Sequence, residues 1–266
     1  MISKFFIIRK PTLLDRSMNS FNRSQLIDGL RAIAVLAMIV YHFAWDLGFF
    51  NIVDPFIVNS GWWKIFAVSI GSSFLFLSGI SFWLSAYSGI NFRKFTKRFL
   101  ILISAALLVS LGTYQADSDT FVFFGILHLL SACTLLGLLI YKMPSALIIL
   151  IGLSIIIFEP YLISDFYEPK YLAWTGLFSG STGSVDFYGF IPWSSAYIFG
   201  IGLSKIIFKI NGKGIWTNNF LFSNTRKNSV LIKTFFWLGR NSLLIYLIHQ
   251  PILIGIIYTY MKIFML

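Results

Sequence analysis

Residues 27–50 read IDGLRAIAVLAMIVYHFAWDLGFF, and this stretch decides the fold. It holds enough apolar residues in a row for a membrane-spanning helix, which needs about 20. Yet it carries Asp28, Arg31, His42 and Asp46. At about 100° per residue, the step from Arg31 to His42 is three turns plus about 20°. Asp28 lies three residues before Arg31, and Asp46 four after His42, so all four fall on one stripe with Val35 and Met38. From Asp28 to Asp46 the helix rises about 27 Å, close to the roughly 30 Å of hydrocarbon in a bilayer. One helix face therefore carries an ion pair at one membrane surface and a His–carboxylate pair near the other.

Six more apolar runs follow, at roughly 63–86, 99–115, 121–141, 145–163, 186–208 and 236–261. They are continuous rather than alternating, which excludes a transmembrane β-barrel. Of the 266 residues, 57% are hydrophobic and only 12% charged, so lipid rather than water is the expected solvent. The expected fold is all-α, a polytopic membrane bundle of about seven helices. Residues 1–26 form a basic N-terminal segment without a cleavable signal sequence, and 27–264 a single transmembrane domain. The sequence also leaves room for an eighth, re-entrant or interfacial piece at 215–222.

The net charge of +11 serves topology rather than nucleic acid. With the N-terminus in the cytoplasm, the inner segments hold 18 of the 21 basic residues, and Lys64, Lys170 and Lys262 fall outside. Eight of the ten acids fall outside. This is a positive-inside pattern and sets the N-terminus cytoplasmic and the C-terminus on the far side.

All three histidines, His42, His128 and His249, sit in apolar runs. Ionisable groups at membrane depth are costly and default to functional candidates. Asp46, four residues after His42, is placed to orient an imidazole and raise its basicity, as a general base requires. Ser242, Tyr246 and His249 share a helix face, and Pro251 should kink the last span just beyond them. The bland alternatives are that Asp28 and Arg31 snorkel at the interface, and that His128 and His249 are satisfied packing residues. No paired His spacing suggests a metal, the lone Cys133 permits no disulfide, and no phosphate-binding glycine loop or nucleophile elbow is present. The glycine-rich stretch 176–183 reads as a flexible outer loop. The inner cations, among them Arg93, Lys94, Lys97, Arg98, Lys205, Lys209, Arg226 and Lys227, fit plain topology bias and contact with anionic lipid. Arg240 and Asn241, at the start of the last span, are better candidates for a phosphorylated donor such as coenzyme A.

The quoted stretch resembles the opening of the heparan-alpha-glucosaminide N-acetyltransferase catalytic-domain family. FLFLSGISFWLSA (74–86), FFGILHLL (123–130) and WLGRNSLLIYLIHQP (237–251) resemble later blocks of that family, in order. The spacing of Arg31 and His42 and the last block are also similar to the wider transmembrane acyltransferase superfamily. The resemblance implies a membrane enzyme with no bound cofactor that uses acetyl-CoA as co-substrate. It would pass the acetyl group to a sugar amine or hydroxyl across the membrane. Carried over by position, His42 matches the family's span-1 histidine, with Asp46 beside it, Arg31 the family arginine, and His128 and His249 the later histidines. On this reading His42 and Asp46 are the expected catalytic pair, and Asp28, Arg31, His128, Arg240, Asn241, Ser242, Tyr246 and His249 are the expected donor- or substrate-binding residues. Two departures stand out: Ala32 follows the arginine where the family usually has Gly, and the luminal N-terminal portion and additional spans of the human-type enzyme are absent. The heparan substrate is therefore not carried over. The expected acceptor is an envelope glycan or glycolipid, in the plasma membrane of a prokaryote. Membrane lipids are the other expected partners, and nothing in the sequence fixes the oligomeric state. The competing reading is a proton-coupled transporter that uses His42, Asp46, His128 and His249 as a relay.

Overall fold

The computed structural model describes residues 25–211 and 230–264. Most of the basic N-terminal segment and the eighth piece at 215–222, with Arg226 and Lys227, lie outside the described residues. The helices are α1 (Gln25–Phe49), α2 (Pro55–Asn59), α3 (Gly61–Ala86), α4 (Phe92–Ala116), α5 (Ile126–Ile140), α6 (Ser145–Leu162), α7 (Lys170–Ala173), α8 (Phe190–Asn211), α9 (Val230–Arg240) and α10 (Ser242–Phe264). There is no strand among the described residues. Six helices, α1, α3, α4, α6, α8 and α10, are long and apolar enough to span a membrane, and α5 is a shorter apolar helix. The protein is a polytopic helical membrane bundle.

Three boundaries differ from the sequence reading. The expected span at 121–141 contains a helix of only 15 residues. Its first five residues are irregular, and Gly125 is the N-cap. The expected span at 186–208 starts later, because Ile191 has extended backbone (φ −105°, ψ 131°) and regular helix begins at Pro192. The expected last span is two helices, with Asn241 at the break between α9 and α10. By contrast, α10 is one helix with Pro251 inside it. The proline ring removes one backbone hydrogen bond there without ending the helix.

Close packing rather than water exclusion holds such a bundle together, so small residues mark its crossings. A Cβ on Gly79 of α3 would stand 2.1 Å from the Tyr197 carbonyl oxygen of α8. One on Gly200 of α8 would stand 2.2 Å from the Phe76 carbonyl oxygen of α3. The two backbones therefore touch, and α6 lies on the far side of α8, where Gly152 takes the Phe199 ring. Helix α1 packs against α3, α9 and α10. Its tightest contact is with α9, where a Cβ on Gly239 would be 1.8 Å from the Asp28 carbonyl oxygen. Helix α4 is the loosest, with only Ala105 and Ala106 buried.

The long connection between α6 and α8 folds back over the acidic end of the bundle. Ser164 N–H donates to the Leu177 carbonyl at 2.9 Å, Val185 N–H to Thr120 at 2.9 Å and Tyr188 N–H to Phe124 at 3.0 Å. Gly176 (φ +82°) lies directly against the Ile191 carbonyl, where a Cβ would clash at 2.0 Å. The glycine-rich stretch is thus anchored at its start by close backbone packing, where the sequence suggested a loose loop.

Candidate active site

Two polar groupings join α1 to the α9–α10 segment, one at each end. At the basic end, Asp28 is only 1% exposed. It accepts from Arg240 Nε at 3.3 Å. Arg31, one turn further on, donates from Nη2 to Ser81 Oγ of α3 at 2.8 Å. Ser81 in turn donates to the Leu77 carbonyl at 2.7 Å. Asn241 Nδ2 donates to the Trp237 carbonyl at 2.9 Å, tying off the end of α9. Ser242 opens α10 beside it.

At the acidic end the α1 stripe meets α10 again. The rings of His42 and His249 stand edge to face, with centroids 4.8 Å apart. Asp46 is fully buried. One of its oxygens accepts from Gln250 Nε2. His42 Nδ1 and Asp46 Oδ2 both lack a hydrogen-bond partner among the described residues. Asp46 therefore does not orient His42 by a direct bond, as the i,i+4 spacing suggested; it holds α10 through Gln250. The residue against His42 is His249, from the other end of the sequence.

The protonation pattern follows from the partners. His249 Nδ1 contacts the Tyr246 carbonyl oxygen at 2.6 Å. A carbonyl only accepts, so Nδ1 carries the proton, and Nε2 of the neutral ring is a bare lone pair. That Nε2 is buried and unpartnered among the described residues, as is Gln250 Oε1. Of the eight buried side-chain polar atoms in this condition, four belong to this cluster. Three of those four, Asp46 Oδ2, Gln250 Oε1 and His249 Nε2, are acceptors, and His42 Nδ1 can serve in either role. Buried polar groups are normally satisfied. A buried group of acceptors without donors is chemically suited to a ligand that brings N–H or O–H.

His128 stands apart from this pair. Its Nδ1 accepts from the Gly125 N–H at 3.2 Å, and its Nε2 meets Ser110 Oγ at 3.2 Å. It closes the start of α5 and ties it to α4. Tyr246 joins the two sub-structures. Its hydroxyl donates to Asp186 Oδ2 at 3.1 Å, and its ring lies 5.7 Å from His249. Asp186 also accepts from the Ile126 N–H. It lies in the connection before α8, outside the spanning helices, and burial lifts its carboxyl to about 6, against the pull of the Tyr246 hydrogen bond.

The structure thus brings His42, Asp46 and His249 together and places Tyr246 beside them. Asp28 and Arg240 meet at the opposite end, where Arg31 lies one turn along α1 and bonds across to Ser81, and Asn241 and Ser242 follow Arg240 in the chain. Sequence reasoning missed Gln250, Asp186 and Ser81. Gln250 is directly after His249 and Asp186 is one of only ten acids, but neither has a spacing that names its partner. Among the described residues, no three His, Cys, Asp or Glu side chains are grouped to hold a metal ion.

No curated protein and no solved structure matches the chain. The family model for heparan-alpha-glucosaminide N-acetyltransferase, catalytic, matches residues 23–251, which include both polar groupings and most of the bundle. The chain belongs to this family, and its membrane bundle is an acetyltransferase-type catalytic domain.

Proposed function

We propose that the protein is an integral membrane acyltransferase that moves an acetyl group from cytosolic acetyl-CoA to an amine or hydroxyl of an envelope glycan or glycolipid. The setting is the plasma membrane of a prokaryote, with the basic end cytoplasmic and the acidic end outside. The observation that carries this reading is the buried, donor-poor cluster of His42, Asp46, His249 and Gln250. An acceptor amine or hydroxyl supplies the missing donor.

In the reaction, the bare imidazole nitrogen of His249, or the facing nitrogen of His42, takes the proton of that group. The acceptor nitrogen or oxygen bonds to the thioester carbonyl carbon, the C–S bond breaks, and CoA leaves as the thiolate. A transient acetyl-imidazole on His42 is the two-step version of the same transfer. Tyr246 places His249 through its carbonyl, and Asp46 places Gln250 beside them. At the basic end Arg240 is 52% exposed and uses Nε on Asp28. Its remaining guanidinium donors are suited to a donor phosphate, with Asn241, Ser242 and Arg31 nearby.

The test is incubation of the purified protein in nanodiscs with acetyl-labelled CoA, alone and with a panel of amino sugars. Wild type should release CoA and label an acceptor, and His42→Ala should reduce transfer by about 10²–10⁴-fold. Full transfer by a correctly inserted His42→Ala protein would overturn the assignment. The imidazole contact would equally pass protons in the competing transporter reading. No CoA release from folded protein, together with proton uptake that depends on His42 and His249, would favour that reading.

A further inference from the structure

The sequence RKFTKR (93–98) at the start of α4 places its four cations in two i,i+4 pairs. The structure gives each pair a different cavity. Lys94 and Arg98 line a pocket of about 200 Å³ toward α3 and α5. Arg93 and Lys97 line the mouth of a cleft of about 900 Å³ between α4 and α10. Beyond the cations the walls of this cleft are mainly apolar, with Leu100 and Leu108 on one side and Leu243 and Leu247 on the other, and with the hydroxyls of Thr96 and Ser104 on α4. Ala105 belongs to an apolar cluster against which Leu243 and Leu247 pack. Among the described residues, no acid lines the cleft. Neither Arg93 nor Lys97 makes an ion pair among the described residues.

We propose that the α4–α10 cleft is a binding site for an anionic phospholipid of the leaflet at the basic end of the bundle. The phosphate sits on Arg93 and Lys97, and an acyl chain lies along the leucine walls. Charge complementarity selects the headgroup: two cations with no ion-pair partner and no acid beside them among the described residues attract an anionic lipid, at a strength of about five-fold in affinity per cation. Shape selects the chain. From Arg93 to Leu108 the helix rises about 22 Å, more than one leaflet is deep. The volume lies within the range of small-molecule sites, about 300–1,000 Å³. A lipid wedged there would fill the gap beside the loosest helix of the bundle and connect α4 to α10, the helix that carries His249. The inference stands apart from the acyl-transfer reading.

The experiment is native mass spectrometry of the full chain in detergent, with phosphatidylglycerol, phosphatidylcholine and palmitoyl-CoA as competing ligands. Phosphatidylglycerol should bind at least about ten-fold more tightly than phosphatidylcholine. The double variant Arg93→Gln/Lys97→Gln should weaken it by about ten- to thirty-fold. Lys94→Gln/Arg98→Gln removes the same charge from the neighbouring pocket and should leave it within about two-fold. Leu100→Trp keeps both cations and obstructs the chain, so it should also weaken binding; it tests the site even if the charge variant folds poorly. Equal losses in the two double variants would reduce the site to a diffuse basic surface and overturn the proposal. Equal retention of phosphatidylcholine, or displacement of phosphatidylglycerol by equimolar palmitoyl-CoA, would overturn it as well.

Discussion

Helix α1 carries a buried carboxylate near each end, and the two are treated differently. Asp28 is paired with a guanidinium, and a neighbouring arginine is bonded to a serine. Among the described residues, Asp46 meets only the neutral amide of Gln250, and its second oxygen and three polar atoms around it lack partners. In a bilayer an ion pair is a tolerable structural device, whereas a carboxylate with no cation is expensive. The basic end is a completed joint between α1 and the α9–α10 segment. The acidic end is an incomplete one, and that incompleteness is the ground for proposing that a substrate completes it.

The largest expected effect breaks the acidic end. His249→Ala removes the nitrogen whose lone pair is fixed by the Tyr246 carbonyl, and transfer should fall by about 10²–10⁴-fold. If the two imidazoles act as a unit, His42→Ala/His249→Ala should be little worse than the more damaging single change. Initial rates on labelled acetyl-CoA measure both, and multiplicative losses would show that the rings work separately. At the basic end the loss should appear in stability. Arg240→Ala removes the guanidinium beside a buried carboxylate and should destabilise by about 1–2 kcal/mol, less than the loss of a fully buried pair because the guanidinium is half exposed. Asp28→Asn removes the buried charge as well and should cost about 1 kcal/mol or less. Thermal unfolding in one detergent compares the two, and equal losses would mean that the pair has no asymmetry of burial.

The α1 stripe was legible because helical periodicity alone places Asp28, Arg31, His42 and Asp46 on one face. The partners were not, since a partner is chosen by how helices cross. The i,i+4 neighbour Asp46 bonds across to Gln250, and His42 meets His249 from a segment more than 200 residues away. The number of apolar runs was legible from composition. The shortness of α5 was not, because it depends on Gly125 acting as an N-cap with His128 closing it, a role that competes with catalysis for the same side chain. Nor was the break before α10, where Gly239 lets α9 lie on the α1 backbone and Asn241 bonds back to α9.

An effect of similarly small size concerns Asp186, which belongs to neither end pair but supports the acidic one. Its carboxyl is at about 6 in the folded protein, above the ordinary carboxylate value. The folded chain therefore holds this proton more tightly than the unfolded chain does. Stability from this group is full below about pH 4 and is lost as the pH rises through about 6, by roughly 1 kcal/mol after allowance for partial exposure. Asp186→Asn keeps an oxygen for the Tyr246 hydroxyl and removes the titration, so its melting temperature should change less than wild type between pH 4.5 and 7. An unchanged pH response in the variant would show that Asp186 does not titrate in this range. The carboxylate is nonetheless well placed to persist at neutral pH. It sits at the N-terminus of α5, where the Ile126 N–H and the helix dipole favour negative charge, and a Cβ on Gly125 would stand 2.6 Å from its oxygen. Through the Tyr246 hydroxyl this carboxylate ties the connection to the turn of α10 whose carbonyl accepts from His249 Nδ1, so a loss of transfer in a well-folded Asp186→Ala variant is the expected sign that the connection positions His249.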